Sequence, residues 1–229
     1  MKKLYKILCV LVLSLLWYAC NSNDNEPVPV VKSLASGTMK DARDGYVYHW
    51  ARYGGLDWTV ENSHYNTNDK NCSIYTMSTS LSSSDSSDST ILKKFGYLYN
   101  YKGALEAAPT GWRVPTDEDW KKLEEALGMS DKEADALEWR GNYTATLMTQ
   151  DSTGTGLKLL YGGYYTAITS YLFAYNMIND YGFYWTSTMD TTKNESAYYR
   201  KIFYNSSKVF RYSTNCDNKY SVRFVRDAQ

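Results

Sequence analysis

The chain has 229 residues and a formal net charge of zero, with 25 basic and 25 acidic side chains. Without a basic stripe or a cluster of Lys and Arg, this balance argues against a nucleic-acid partner. The two histidines, His49 and His64, are too few and too scattered to predict a metal site, and no cofactor is expected. The 23 tyrosines and 7 tryptophans are instead typical of β-structure, in which broad rings cover the surface of a sheet.

The N-terminus predicts export and lipid attachment. Three lysines lie among the first six residues, and an apolar run follows at residues 7–17. That run is too short to cross a bilayer core of about 30 Å as a helix. Ala19-Cys20 then resembles the end of a bacterial lipobox, in which the cysteine is acylated and becomes the mature N-terminus. We therefore predict a lipoprotein signal peptide at residues 1–19 with a lipid on Cys20, and a cleaved secretory signal is the alternative.

Residues 20–39 are predicted to form a polar, proline-containing tether between this anchor and the folded part of the chain. Asp24 and Glu26 resemble the acidic patch that directs some Bacteroidetes lipoproteins to the outer face of the outer membrane. We therefore expect a protein that is lipid-anchored in the outer membrane. For the domain at residues 40–229, cell-surface exposure and a periplasmic orientation are both compatible with this pattern.

The cysteines of the mature chain are a candidate disulfide. Cys9 leaves with the signal peptide and Cys20 carries the lipid, so Cys72 and Cys216 remain. In an oxidising compartment, two remaining cysteines are a candidate pair. Two thiols without a bridge are the alternative.

The first part of the domain is predicted to be a β-hairpin followed by a loop. Residues 46–50 have the composition of a strand, and residues 56–60 are its expected partner across Gly54-Gly55. Residues 78–90 are mostly Ser, Thr and Asp. Such a composition buries too little apolar surface to offset the entropy of ordering, so we predict a surface loop there.

Two helices are predicted in the middle of the chain. Thr116 is an expected N-cap directly after Pro115, and it begins a helix with apolar residues at i, i+3 and i+7. These residues are Trp120, Leu123 and Leu127. Ser130, with Glu133 three residues later, predicts the cap of a second helix that ends near Arg140.

The last part of the chain is predicted to be a run of strands. The strands are expected at residues 157–165, 183–188, 197–205, 208–212 and 220–226. Between the first two, residues 166–182 form a predicted loop that is rich in aromatic and amide side chains. The order of strands, helices and then more strands argues for an α+β domain with an antiparallel sheet.

Several short motifs follow one another in order between residues 40 and 228. They are Asp41-Ala42-Arg43-Asp44-Gly45, Gly54-Gly55-Leu56-Asp57-Trp58 with Glu61-Asn62, Gly111-Trp112-Arg113-Val114-Pro115-Thr116, Gly162-Gly163-Tyr164, Tyr184-Trp185-Thr186-Ser187-Thr188 and Ser221-Val222-Arg223-Phe224-Val225-Arg226-Asp227. Together they resemble the Fibrobacter succinogenes major paralogous domain (FISUMP) family, which is common in envelope proteins of Bacteroidetes and Fibrobacteres. The chain departs from the family pattern at Leu56, where a glutamine is usual, and in the positions of its cysteines.

The resemblance implies a C-type lectin-like fold, which is α+β with two main helices beside small antiparallel β-sheets. A long loop often carries the ligand site in that fold, and residues 166–182 are the corresponding loop by analogy. The candidate ligand residues in this loop are Tyr171, Phe173, Tyr175, Asn176, Asn179, Asp180 and Tyr181. Their rings and amides suit stacking on a sugar and hydrogen bonding to it. The alternative is that the rings pack the loop onto the domain.

These features predict an envelope lipoprotein with a non-catalytic binding or adhesion module, for a glycan or for a surface protein. The Glu-Pro-Asn, Gln-Pro-Asp and Trp-Asn-Asp triplets of calcium-dependent lectins do not occur in the sequence, so no calcium site is expected. A structural or assembly component of the cell surface is the alternative function. An enzyme is the least favoured, because no motif for activating a nucleophile surrounds Cys72 or Cys216. The dipole of the predicted helix explains the acidic residues 117–119 at its start.

Overall fold

The protein folds into small β-sheets and short helices. Its structure is a computed structural model, which describes residues 27–67, 70–76, 86–169 and 172–229. The described strands are β1 (Ser36–Lys40), β2 (Val47–Tyr53), β3 (Leu56–Thr59), β4 (Cys72–Ser73), β5 (Leu98–Tyr99), β6 (Glu138–Arg140), β7 (Gly162–Thr169), β8 (Leu172–Ile178), β9 (Tyr181–Met189), β10 (Ser196–Phe203), β11 (Val209–Asn215) and β12 (Val225–Asp227). The described α-helices are α1 (Ser86–Phe95), α2 (Tyr101–Glu106), α3 (Asp117–Ala126), α4 (Asp131–Asp135) and α5 (Thr144–Thr149). The domain is therefore mixed α and β, and mostly β.

The N-terminal predictions fall mainly outside the described residues. The signal peptide at residues 1–19 and Cys20 lie outside them, and the tether is described from Pro27 onwards. The last four residues of the predicted tether belong to β1, which pairs with β2 along its whole length, so the first sheet begins at Ser36 rather than at residue 40. No helix in the described part of the chain has both the length and the apolar character needed to cross a membrane.

The first sheet joins the two ends of the domain in the order β1-β2-β3-β12, with all neighbours antiparallel. The predicted hairpin across Gly54-Gly55 is confirmed as the β2–β3 turn, where the two glycines have φ angles of 57° and 76°. A Cβ atom on Gly54 would lie 2.9 Å from the carbonyl oxygen of Lys122 in α3. Glycine therefore serves both the turn and the close approach of the helix.

The larger sheet has the order β6-β11-β10-β9-β7-β8 and is antiparallel except where β7 runs parallel to β9. The prediction of a loop at residues 166–182 is wrong, because most of that range forms the antiparallel pair of β7 and β8 at the edge of this sheet. Tyr165 pairs with Tyr175 across this hairpin. Aromatic side chains pack well in such cross-strand pairs, so the aromatic-rich composition of residues 166–182 is compatible with strands as well as with a loop. The strand predicted at residues 157–165 begins only at Gly162.

The starts of α3 and α4 confirm the capping predictions. Thr116 and Asp119 form a capping box at the start of α3, and Ser130 and Glu133 form one at the start of α4. Each box satisfies backbone N–H groups that have no partner inside the helix. The predicted apolar stripe of α3 is buried in the core. Its residues are Trp120, Leu123 and Leu127.

The extents of the helices differ from the predictions. The second predicted helix, α4, ends at Asp135 rather than near Arg140, because the chain then extends into β6 and pairs with β11. Of the loop predicted at residues 78–90, residues 78–85 lie outside the described residues, and residues 86–90 are helical because they begin α1, which continues to the buried Phe95. In place of two main helices, the described residues contain five short α-helices of five to ten residues.

The candidate disulfide pair, Cys72 and Cys216, is present in the structure as two thiols. The Cys72 thiol lies on β4 and donates a hydrogen bond to Asn66 Oδ1 at 3.2 Å. Cys216 follows the end of β11, and its carbonyl oxygen accepts a hydrogen bond from the N–H of Tyr101 at 2.9 Å. Both cysteines pack in one aromatic cluster, which corresponds to the alternative of two thiols.

Two clusters of buried side chains form the core. In the first, Trp120 of α3 packs edge-to-face on Trp58 of β3, with 5.0 Å between the ring centroids. The second is mainly aromatic and contains Trp112 and Trp185. The indole N–H of Trp185 donates to the carbonyl oxygen of Tyr99 at 2.7 Å, so this ring is fixed by a hydrogen bond as well as by packing.

A buried ion-pair network joins α3 to the larger sheet. Asp117 in the first turn of α3 accepts hydrogen bonds from Arg200 at 2.6 Å and from Arg211 at 2.7 Å. Glu124 accepts from Arg200 Nε at 2.7 Å and from Arg140 Nη2 at 2.5 Å. All five residues are at most 7% exposed. The acidic residue at position 117 therefore ties the helix to the sheet, a role beyond its interaction with the helix dipole.

The network lowers the pKa values of Asp117 and Arg140 for different physical reasons. Burial alone would raise the pKa of Asp117, but the hydrogen bonds and charges of Arg211 and Arg200 outweigh burial and lower it to about 2. Burial also lowers the pKa of Arg140 to about 10, although Glu124 opposes the change. Each charge in the network therefore depends on its partners to offset the cost of leaving water.

Replacing Asp117 by Asn should lower the free energy of unfolding by roughly 3–5 kcal/mol, because Arg200 and Arg211 would lose the carboxylate that they share. Urea denaturation at pH 7 measures this difference. Glu118→Gln is the matched control, since the neighbouring Glu118 side chain is 63% exposed and its change should stay within about 0.5 kcal/mol. Equal losses for the two variants would contradict the role of the network.

The stability of the wild type and that of Asp117→Asn should depend differently on pH. The pKa of Asp117 is lowered in the folded state, so its stabilising contribution is complete above about pH 4 and is lost as the pH falls towards 2. The contribution amounts to roughly 2 kcal/mol. Between pH 4 and pH 2, the wild type should therefore lose more stability than Asp117→Asn. Parallel pH profiles would contradict the lowered pKa.

Replacing Trp112 by Ala should lower the free energy of unfolding by roughly 3–5 kcal/mol, because it removes a buried ring. Trp112 is 8% exposed, and the guanidinium of Arg226 lies 4.8 Å from its ring centroid. Tyr204→Ala truncates a ring that is 59% exposed, so it is the control and should cost about 0.5 kcal/mol or less. Thermal and chemical denaturation measure both, and an unchanged melting temperature for Trp112→Ala would show that the ring is not part of the core.

Candidate functional site

The structure separates the predicted ligand residues into several groups. Tyr171 lies outside the described residues, and for Phe173 only the backbone is described, as part of β8. The ring of Tyr175 is half-buried between Tyr75 and Tyr165, with centroid distances of 5.2 and 5.0 Å. Tyr175 therefore packs the hairpin onto the domain, in line with the alternative interpretation of these rings.

The polar residues of the predicted loop shape the end of the hairpin. Asn176 pairs with Tyr164 across β7 and β8 and is half-buried. Asn179 adopts a left-handed conformation with φ 67°, and its N–H donates to the carbonyl oxygen of Tyr161 at 2.7 Å. Asp180 is exposed in the same turn. Since asparagine tolerates this backbone conformation better than most residues, Asn179 has a structural role in the turn.

Tyr181 is the predicted ligand residue that the structure brings to an open cleft. Its ring is half-buried and stacks on Phe203, with centroids 4.5 Å apart and an interplanar angle of 19°. The cleft has a volume of about 310 Å³, near the lower end of the range of small-ligand sites. Its lining residues are Tyr164, Met177, Tyr181, Phe183, Tyr199, Lys201 and Tyr220.

The pleat of β10 explains why these side chains share one face of the larger sheet. Successive side chains of a strand point to opposite faces. Arg200 and Ile202 are completely buried on the inner face, so Tyr199, Lys201 and Phe203 lie on the other. Rings from the neighbouring strands β9 and β11 extend the same surface, because both strands pair directly with β10.

Phe183 is at the centre of the aromatic wall of the cleft. Its ring centroid lies 4.7 Å from that of Tyr164, 5.0 Å from that of Tyr220 and 6.1 Å from that of Tyr199. Phe183, Tyr199 and Tyr220 are all buried members of the aromatic core cluster. The wall is therefore held in place by core packing, whereas Tyr181 and Met177 at the rim are accessible to solvent.

Lys201 provides the positive charge of the cleft. Its ammonium lies 3.9 Å from the ring centroid of Phe210, 5.1 Å from that of Trp139 and 5.9 Å from that of Tyr181. The side chain is half-buried, and this burial lowers its pKa. In the described part of the chain, no carboxylate lies within ion-pair distance of Lys201, so cation–π contacts are its main stabilising contacts.

The two histidines do not line the cleft, and each contacts a polar group elsewhere. His49 is exposed and its Nδ1 lies 2.7 Å from Glu61 Oε1, while His64 Nδ1 lies 2.8 Å from the carbonyl oxygen of Asn62. Within residues 27–67, 70–76, 86–169 and 172–229, no group of three or more His, Cys, Asp or Glu side chains is arranged to hold a metal ion. The cleft therefore offers rings, tyrosine hydroxyls and one ammonium to a ligand.

The family model described as the Fibrobacter succinogenes major domain matches residues 51–226. The chain belongs to the Fibrobacter succinogenes major domain family. No curated protein and no solved structure matches it. The matched range contains every residue that lines the cleft.

The motifs by which the sequence resembles the Fibrobacter succinogenes major domain support the framework. Asp57 accepts hydrogen bonds from Arg52 at 2.6 Å and from Arg226 at 2.9 Å, which ties β12 to β2 and β3. Arg223 is buried and donates to Asn62 Oδ1 at 2.7 Å and to several backbone carbonyls. Asp57 and Arg223 hold the domain together and do not line the cleft, whereas Tyr164 of the Gly162-Gly163-Tyr164 motif does.

Most residues of the cleft were not predicted as site residues from the sequence. Its aromatic wall and Lys201 lie on predicted strands, but strand composition alone does not show which of the two faces is solvated. The sequence signal for this face is the alternation along β10. Tyr199, Lys201 and Phe203 lie on one face of the strand, and Arg200 lies on the opposite face. Arginine is rarely buried, so a strand with an arginine on its inner face has a distinctive pattern.

Proposed function

We propose that this chain is a lipoprotein of the outer membrane whose domain, with a C-type lectin-like fold, is a non-catalytic glycan-binding module. The cleft of about 310 Å³ on the larger sheet is the proposed ligand site. The observation that carries this proposal is the cluster of partly accessible rings around one depression, with Tyr164 and Tyr181 half-buried at its edges. Presentation at the cell surface is part of the proposal.

The chemistry of the cleft suits a saccharide. A sugar ring has an apolar C–H face and a rim of hydroxyl groups, and tyrosine likewise combines an apolar face with a hydroxyl that hydrogen-bonds. Tyr164, Tyr181 and Tyr199 supply both features within one depression. The wall is pre-formed because Phe183 and Tyr220 are fixed in the core, which lowers the entropic cost of binding.

A non-catalytic role is supported by where the carboxylates are engaged. Asp117 and Glu124 are held by buried arginines beneath the sheet, and Asp190 accepts hydrogen bonds from Ser213 and Thr192. The residues that line the cleft in the described structure include no carboxylate, imidazole or thiol. Hydrolysis of a glycoside uses a pair of carboxylates flanking the scissile bond, and the cleft does not provide one.

Membrane attachment is proposed to come from the lipid on Cys20. Val31 packs against the first core cluster, so the chain is held to the domain from that point onwards. Residues 20–30 would then span the distance between the lipid and the domain. A short polar connection of this kind keeps the domain near the membrane but leaves its cleft accessible to solvent.

Truncating Tyr181 to Ala should lower the affinity for a bound saccharide by about tenfold, because a stacking ring is worth roughly 1.5 kcal/mol. A glycan array with the purified domain identifies the saccharide, and isothermal titration calorimetry compares the variants. Tyr204→Ala is the matched control, since it removes an exposed tyrosine ring that does not line the cleft. Equal affinities of the wild type and Tyr181→Ala would reject this cleft as the site, and a wild type that binds no saccharide would reject the glycan-binding function.

Replacing Cys20 by Ser should abolish incorporation of labelled fatty acid and should release the protein from the membrane fraction. Metabolic labelling and fractionation of the native host measure these two effects, with Cys9→Ser as the matched control inside the predicted signal peptide. Protease treatment of intact cells then tests surface presentation, because an outward-facing domain would be cleaved. Labelling that persists in Cys20→Ser would reject this attachment site, and complete protection from protease would confine the domain to the periplasm.

A further inference from the structure

We infer that the cleft selects an acidic saccharide, a sugar that carries a carboxylate such as a uronic acid, and that the Lys201 ammonium binds this carboxylate. The inference rests on the proposed glycan-binding function and names the chemical class of its ligand. Lys201 supplies the only charged side chain among the described residues that line the cleft. A ligand whose anionic group meets that side chain would complement both the charge and the rings of the site.

The position of Lys201 is set by the strand that carries it. Lys201 pairs with Phe210 of β11 on one side and with Phe183 of β9 on the other. The rings of Phe210 and Trp139 lie beneath its ammonium, at centroid distances of 3.9 and 5.1 Å. The same ammonium lies 5.9 Å from the ring centroid of Tyr181, which lines the cleft together with Lys201.

The charge of Lys201 is only partly compensated by the protein. The neighbouring arginine on the inner face, Arg200, is paired with Asp117 and Glu124. The groups facing Lys201 from β6, β9 and β11 are instead the rings of Trp139, Tyr181 and Phe210. These rings attract a cation through their π faces, but they provide no acceptor with a formal negative charge.

An incoming carboxylate would supply this acceptor. Because Lys201 is half-buried, its ammonium has already lost part of its hydration, and a charge-assisted hydrogen bond there is stronger than one at a fully exposed lysine. The rings of the cleft contact the apolar face of the same sugar. A small inorganic anion would leave these rings uncovered, and a neutral sugar would leave the ammonium without an anionic partner. An acidic saccharide uses both features of the cleft.

Titration with a galacturonic acid oligosaccharide and with a galactose oligosaccharide of the same length tests the selection. We expect the wild type to bind the acidic ligand at least tenfold more tightly, which corresponds to about 1.4 kcal/mol. Lys201→Met removes the charge but keeps an apolar, unbranched side chain, so it should remove this difference between the two ligands. Lys201→Arg should retain the preference, because it retains the charge.

Lys208→Met is the control for a loss of overall charge, since Lys208 is an exposed lysine that does not line the cleft. It should leave the preference unchanged, and melting temperatures verify that all variants are folded. Equal binding of both oligosaccharides by the wild type would overturn the acidic selection but leave glycan binding intact. Binding of neither would overturn the proposed function as well. Tighter binding of a carboxylate-bearing peptide than of any saccharide would also overturn the inference.

A parallel loss of both affinities in Lys201→Met would assign Lys201 to packing of the cleft, which also contradicts the inference. Raising the salt concentration provides a separate readout. Salt weakens the attraction between charges, so it should narrow the difference between the acidic and the neutral oligosaccharide in the wild type and have no such effect in Lys201→Met. An identical response of the two proteins would contradict a direct contact between the ammonium and the carboxylate.

Discussion

The pairing of Arg200 with Asp117 and Glu124 constrains both faces of the larger sheet. Arg200 is fully buried in β10, and its guanidinium reaches the carboxylates of α3 at 2.6 and 2.7 Å. Because side chains alternate along a strand, an inward Arg200 requires Tyr199 and Lys201 to face outward. A slip of one residue would place Lys201 beneath the helix and would expose the arginine. The ion pairs that stabilise the fold thus also decide which side chains form the cleft.

The same network also contacts the C-terminal end of α4. Three arginines share two carboxylates, so some of their donors must bind uncharged acceptors. Arg211 donates to the carbonyl oxygen of Asp135 at 2.7 Å, and Arg140 donates to those of Ala134 and Val209 at 3.3 and 3.0 Å. Ala134 and Asp135 are the last residues of α4, where carbonyl groups lack partners within the helix and the dipole is negative. The short helix therefore contributes part of the compensation for the buried positive charge.

The range of each interaction along the chain explains what the sequence could predict. The capping boxes at Thr116 and Ser130 depend on residues three positions apart, so both helix starts were predictable. The end of α4 depends on a strand about 70 residues later, whose carbonyl at Val209 bonds to Arg140, and no local pattern signals that contact. The cleft is non-local in the same way, because its rings converge from separate strands. Among the predicted ligand residues whose side chains the structure describes, Tyr181 is the one placed at the cleft, since Tyr175 and Asn176 belong to an edge hairpin whose composition resembled that of a loop.

The division between fixed and adjustable side chains follows from this construction. Phe183 and Tyr220 belong both to the core and to the wall of the cleft, so a substitution there would change the stability of the domain along with the shape of the site. Tyr181 and Lys201 are half-buried and lie outside the set of fully buried core residues. Their replacement would alter the contact surface and the charge with a smaller effect on packing. Selectivity within this fold can therefore change at the rim of the cleft while Arg200, on the opposite face of β10, keeps the strand in register.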